Sequence, residues 1–368
     1  MPRATQQIRF CRSRDGTRIA YATCGEGPPL LRAGHTFSHL ELEWDCLAWR
    51  HWLELFSRDH TLVRYDMRGT GLSDRHCEEF SLERYAEDFA AVVEAAGFDR
   101  FDVVGITGGS DVAVVHAARN PGQVERMLLY AGHARGRLAR SIAPEQREET
   151  ELLLKLIEVG WGQDNPLFRQ LFTYQFMPDG SPEQLRSFNE LMRHSASSSA
   201  AARLLRGIFN CAVDEDAGRV QCPTLVVHAR HDLRIPFEQG RALAALIPGA
   251  RFLPIDSRNN MLLEGEPGWA VFARAFGEFL APAAPAAPAS HAGSVDGLTA
   301  RESSVLEALA QGLATEAMAA RLGMSEKTLR NHLSTIYGKL GVSGRSQAIV
   351  HAREHGYGRE AKAESKES

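Results

Sequence analysis

A chain of 368 residues with 44% apolar and 24% charged side chains can bury more than one core and still carry a charged surface, which excludes a wholly disordered or fibrous protein. Its net charge of −4 excludes a uniformly basic nucleic-acid binder, although an average over this length can hide a local basic module. Six scattered cysteines (Cys11, Cys24, Cys46, Cys77, Cys211 and Cys222) form no CxxC pair and no zinc-like Cys/His spacing, so no metal or other cofactor is expected and a reduced, cytoplasmic setting fits. The opening MPRATQQIRFCRSRDG lacks a signal peptide's apolar run, and no stretch reaches the ~20 apolar residues of a membrane span.

In chain order, Arg18 to Cys24 (RIAYATC), Pro29 to Ala33 and Thr61 to Asp66 read as strands, and Ser81 to Ala96 as a helix. Asp102 to Ile106 is a short buried strand, Asp111 to Asn120 a helix and Met127 to Ala131 a further strand. Between Gly132 and Gln221 the alternation stops. That region is helical and reads as a lid over about 133–220, carrying Trp161, Phe168, Phe172, Tyr174, Phe176, Met177, Phe188 and Met192. The simplest account of these side chains is that they are the lid's own small core. Strand Thr224 to Ala229, helix Phe237 to Leu246 and strand Arg251 to Ile255 restore the rhythm. Strands alternating with helices imply an α/β, doubly wound, mostly parallel sheet covered on both faces.

The tract APAAPAAPASHAGSVDG over 281–297 cannot hold a ladder or a core and reads as an interdomain linker, able to span up to roughly 50 Å at about 3.1 Å per residue. It divides a domain at 1–280 from a second at 298–358, after which 359–368 forms a short charged tail.

Within the first domain, Gly105-Ile106-Thr107-Gly108-Gly109 follows a buried strand and opens a helix, where glycines allow the two backbones to approach. HARHDLRIPF (His228 to Phe237) follows another strand, and DSRNNMLLEGEP (Asp256 to Pro267) follows the last. On these three segments the first ~280 residues resemble the α/β-hydrolase fold. The resemblance implies a nucleophile at Thr107, the triad acid at Asp232 and the triad histidine at the position held by Asn260. It also implies an oxyanion hole from the backbone N–H groups of Gly108 and His35.

Two departures bear on the chemistry. Asparagine cannot take up and return a proton, so the acid–base step of acyl transfer lacks its usual group. A β-branched threonine tolerates the strained elbow backbone poorly, at a cost of order 1–3 kcal/mol. Centring the motif on Ser110 loses the closing glycine and moves the residue into the helix. His35, His39, His116, His133 and His231 are alternative bases, each more ordinarily a core or surface histidine. The expectation is a degenerate triad in which no residue is assigned a catalytic role. Thr107, Gly108, His35, Asp232 and Asn260 then form a neutral, polar floor under an apolar lid, suited to a small apolar or ester- or lactone-like ligand.

From Gly297 four short helices can be read. Thr299 and Glu302 form a capping box opening the first, whose apolar face is Val305, Leu306, Leu309 and Leu313. Ala314 to Leu322 is the second, Gly323-Met324 a break, Ser325 to Leu340 the third and Ser343 to His355 the fourth, which is helix-turn-helix spacing. The segment resembles the LuxR-type DNA-binding domain at Leu298-Thr299-x-Arg301-Glu302, Gly312, Ala319-x-x-Leu322, Ser325-x-x-Thr328-Leu329, His332, Ile336, Lys339-Leu340 and Arg345. Between Arg321 and Arg353 the six cations Arg321, Lys327, Arg330, Lys339, Arg345 and Arg353 face one acid, Glu326, a local +5.

The resemblance implies double-stranded DNA as partner, with Arg330, Asn331 and Ser334 toward base edges and Lys327, Thr328, His332 and Lys339 on phosphates. It also implies dimerisation through the fourth helix, around Ile349 and Val350. The joint expectation is a homodimeric, ligand-responsive transcription regulator. The alternatives are a working serine/threonine-type ester or amide hydrolase fused to a DNA reader, and a protein whose hydrolase-like domain mainly dimerises.

Overall fold

Apolar runs of four to seven residues in the first unit become the strands of one eight-stranded sheet in the computed structural model, which describes residues 5–161, 166–281, 298, 300–322, 324–340, 342, 344–354 and 357. The chain divides into two units, Met1–Ala281 and Pro282–Ser368. The linker residues 282–297, Thr299 of the capping box, Gly323, Ser343 and the tail at 359–368 lie outside the described residues.

The first unit opens with β1 (Gln7–Arg12), β2 (Arg18–Cys24), β3 (Pro29–Arg32), α1 (Arg50–Arg58), β4 (Thr61–Tyr65), α2 (Leu82–Ala96), β5 (Phe101–Ile106), α3 (Gly108–Arg119) and β6 (Val124–Tyr130). The lid helices α4 (Pro144–Gly160), α5 (Pro166–Thr173), α6 (Pro182–Ser195), α7 (Ser198–Phe209) and the single turn α8 (Asp214–Ala217) follow. Then β7 (Thr224–Ala229), α9 (Phe237–Leu246), β8 (Arg251–Ile255) and α10 (Pro267–Leu280) complete the unit. Strand order is β1-β2-β4-β3-β5-β6-β7-β8. Pairs from β4 onward are parallel, while β1 and β2 form an antiparallel edge. The sequence reading lacks β1 because this edge strand, QIRFCR, is largely exposed and shows no buried run for periodicity to register.

Strands β5 and β7 are buried at every position, as strands covered on both faces must be. The lid aromatics Trp161, Phe168, Phe172, Phe176 and Phe188 are buried and packed on one another, but they are continuous with the sheet's core rather than a separate one, while Tyr174 is exposed. Phe37 at the sheet's end meets Trp161 at 4.4 Å and joins this cluster to the body. Helices α4 and α7 are clamped by a bidentate pair between Glu151 and Arg206.

Beneath the apolar layers lies a buried ion network. Glu43 accepts from Arg32 at 2.8 and 2.9 Å and also from Arg64, with all three side chains withdrawn from water. Arg64 further donates to Gln6 and to the Leu40 carbonyl, so this loop carboxylate ties β3 and β4 together. Removing one partner of such a group strands the others without solvent.

The second unit consists of α11 (Ala300–Ala310), α12 (Thr315–Arg321), α13 (Glu326–Leu340) and α14 (Arg345–Glu354). Val305, Leu306, Leu309, Met318, Leu329, Leu333 and Ile336 form its core with Ala348 and Ala352, the 3.6-residue faces expected from the sequence. No helix among the described residues is long and apolar enough to cross a membrane.

Glu43→Ala is expected to lower unfolding stability by about 3–5 kcal/mol, because Arg32 and Arg64 then remain charged and buried without their carboxylate; the midpoint of denaturant unfolding measures it.

Candidate functional site

The carboxyl ends of the parallel strands converge on one crevice, where open α/β sheets hold their ligands. Thr107 sits between β5 and α3 with φ 51° and ψ −121°, a backbone region that β-branched residues avoid. The turn is forced by close packing. A Cβ at Gly105 would lie 2.7 Å from Ser110 Cα, and one at Gly109 would lie 2.3 Å from the Gly34 carbonyl oxygen. Thr107 N–H donates to Tyr130 O at 2.9 Å, which anchors the elbow to β6. Ser110 lies within α3, fully buried, with no hydrogen-bond partner for its hydroxyl, so it cannot take the elbow's place.

At the triad's other positions the structure joins Asn260 to Asp232. Asn260 Nδ2 donates to Asp232 Oδ2 at 2.7 Å, while Asp232 Oδ1 accepts from the N–H groups of Arg234 (2.8 Å) and Ile235 (3.0 Å). Burial raises the Asp232 carboxyl above its ordinary range against these donors. Asn260 Oδ1 is buried without a hydrogen-bond partner. The amide therefore offers an acceptor with no basicity. The loop carrying it is stapled to the lid: Met261 N–H donates to Phe176 O, Asp179 N–H to Asn259 Oδ1, and Arg258 pairs with Asp179 at 3.1 Å.

A partly open pocket lies over the elbow, with room of about 40 Å³ for water-sized groups, enough for a few waters. Thr36, Thr107 and Gly108 form its floor, and Leu153, Ile208 and Phe209 its apolar wall. The expectation of a neutral floor is corrected here, because Arg137, Arg140 and Arg234 also face this cavity. Arg234 stacks on Phe176 at 4.1 Å. Burial pushes its guanidinium down to about 10, opposed by Asp232 and reinforced by Arg137. Arg140 is likewise lowered by burial and by Arg137. Of the expected pocket residues, Thr107 and Gly108 line the cavity, whereas Asp232, Asn260 and His35 stand behind it. The His35 ring packs edge-on against Trp49 at 4.3 Å.

The three arginines were missed because each reads as a solvated charge. The available signal was position: GHARGRLAR, with three arginines, directly follows the carboxyl end of β6, and Arg234 lies two residues beyond Asp232.

Among the alternative bases, His39 is half-exposed and accepts from Glu41 N–H, His116 pairs with Gln123, and His231 is exposed. Of the five, His133 alone lines the cavity. Its Nε2 lies 3.4 Å from Asp111 Oδ2 without hydrogen-bond geometry. Burial holds its pKa at about 3, so the imidazole is neutral at neutral pH, and the same burial pushes the Asp111 carboxyl well above its ordinary range. A base that weak is poorly matched to activating a hydroxyl.

In the second unit, α13 buries Leu329, Leu333 and Ile336 and exposes Lys327, Thr328, Arg330, Asn331 and Ser334, with His332 half-buried. Ser325 caps the helix through the Thr328 N–H, and its hydroxyl meets that of Thr328 at 2.8 Å. Arg330 reaches Glu326 at 2.6 Å. The local charge count overstates the DNA-facing charge. Arg321 binds Gln311, Lys339 pairs with Glu302 at 2.7 Å, Arg345 donates to Leu313 O, and Arg353 donates to Ala310 O.

A family model for the alpha/beta hydrolase fold matches residues 38–266, more than half of the chain, and one for bacterial regulatory proteins of the luxR family matches 296–352. The chain belongs to the alpha/beta hydrolase fold family and carries a C-terminal luxR-family DNA-binding domain. Its hydrolase unit is 26% identical over 263 residues to pyrrolizixenacetamide deacetylase of Xenorhabdus hominickii, covering 70% of this chain and 94% of that protein. Similar folds occur in an esterase from Exiguobacterium antarcticum (18% identity, TM-score 0.64, 74% of this chain and 99% of that one). The enol-lactonase from Burkholderia xenovorans LB400 is similar too (20%, TM-score 0.60, 74% and 100%).

Thr107→Gly is expected to raise stability by about 1–3 kcal/mol, because glycine adopts the elbow conformation without strain; a higher denaturant midpoint for the variant measures it.

Proposed function

We propose that the chain is a one-component transcription regulator. Its luxR-family unit reads double-stranded DNA as a homodimer in the cytoplasm, and its hydrolase-fold unit is a small-molecule receptor that does not turn its ligand over. Asn260 carries this reading. The residue at the base position spends its donor on Asp232 and retains no group able to accept a proton from Thr107.

The pocket between elbow and lid supports a receptor whose ligand touches both, and the staples from the Asn260 loop to the lid couple occupancy to lid position. A ligand preferring one lid arrangement shifts the equilibrium by its differential affinity, typically about 1–3 kcal/mol. The exposed face of α13 supports base contacts by Arg330, Asn331 and Ser334 and phosphate contacts by Lys327, Thr328 and His332. Lys339, paired with Glu302, would reach phosphate only by exchanging that partner. Val350 on α14, 56% exposed, supports dimerisation there.

The test treats the full chain with a serine-hydrolase phosphonate probe and nitrophenyl esters. No adduct and no turnover are expected for the native chain, and a gain of about 10²-fold or more is expected in the Thr107→Ser, Asn260→His double variant. Labelling of the native chain that vanishes in Thr107→Ala would replace the receptor with a working hydrolase. On a duplex enriched from a random DNA pool, Arg330→Ala is expected to cost about 1–3 kcal/mol and relax one base position, whereas Lys327→Ala weakens binding evenly and reduces the salt slope by about one; equilibrium titrations over a range of salt concentrations separate the two.

A further inference from the structure

The cavity over the elbow holds more positive charge than its surroundings answer. Arg137 pairs with Glu149 at 3.3 Å, but Arg140 donates its Nε to the Arg135 carbonyl and Arg234 lies against the Phe176 ring. Among the described residues no carboxylate is hydrogen-bonded to Arg140 or Arg234. Two other acids stand close. Asp232 spends both oxygens on Asn260 and on the backbone of Arg234 and Ile235. Asp111, buried beside His133, has no hydrogen-bond partner on either carboxyl oxygen, and burial pushes its carboxyl up. Guanidinium groups that share a partly buried space repel one another, as the depression of Arg140 by Arg137 reflects, and Asp232 only partly offsets this at Arg234. Such groups hold planar, bidentate anions better than any other side chain.

We infer that the ligand of this pocket carries a carboxylate, which seats among Arg137, Arg140 and Arg234 while its apolar body lies along Leu153, Ile208 and Phe209. This rests on the receptor reading above. A planar carboxylate can take paired N–H donors from one guanidinium while its apolar body lies against the α4 and α7 side chains that wall the pocket. The head at Arg234 is then linked to the lid through Phe176, whose backbone carbonyl accepts from Met261 beside Asn260.

The experiment titrates the full-length chain, at constant ionic strength, with benzoate, methyl benzoate and phenyl phosphate, reading thermal midpoint and calorimetric affinity. Benzoate is expected to bind saturably, with methyl benzoate and phenyl phosphate at least about ten-fold weaker. Arg234→Gln and Arg140→Gln are expected to weaken benzoate about ten-fold or more. Arg137→Gln, whose side chain is one-third exposed, supplies a variant that does not disturb the core. Tighter binding of phenyl phosphate, benzoate binding unchanged in all three variants, or no binding of benzoate each overturns the carboxylate assignment. Binding of methyl benzoate in preference to benzoate, without its hydrolysis, overturns the assignment but leaves a receptor. Hydrolysis of methyl benzoate by the native chain overturns the receptor itself.

Discussion

The reversal between β5 and α3 is the constraint on which the rest of the first unit depends. Strand and helix meet so closely that side chains are excluded at Gly105 and Gly109, and the residue between them is driven to φ 51°. That strain is held by the buried strand on one side and the helix on the other, and it fixes Thr107 and the Gly108 N–H at the mouth of the crevice. Such strained residues persist only where the surroundings over-determine them. The turn places the Thr107 hydroxyl and the Gly108 backbone on the pocket lining.

The pocket's electrostatics differ from those of a triad. A serine hydrolase needs a base poised near neutrality and a carboxylate that orients it. In this chain the Asp232 carboxylate holds an amide, the imidazole lining the pocket, His133, is neutral through burial, and the charge facing the pocket is three guanidinium groups. The pocket therefore presents fixed positive charge where a triad would present a proton acceptor.

The second unit shows the same economy of charge. Cations that the sequence counts toward DNA are partly structural, since Arg345 and Arg353 satisfy carbonyls of neighbouring segments and Lys339 pairs with Glu302. Among the cations on α13, Lys327 and Arg330 stand on its exposed face without a tie to another helix.

The sequence by itself determined the mostly parallel α/β sheet, the glycine-flanked turn at Thr107 and the helices of the luxR-type segment. These follow from local periodicity, glycine placement and motif spacing, each written within a few consecutive residues. Edge strand β1 escaped because an exposed strand carries no buried run. Only the tertiary structure decided that Asp232 is bound to Asn260, 28 residues away, that His35 faces Trp49 rather than the cavity, and that Arg137, Arg140 and Arg234 share one space. A charged side chain reads the same in sequence whether it faces water or a pocket, and convergence of residues from different strand ends is fixed by the packing of the sheet and lid, which no local pattern encodes.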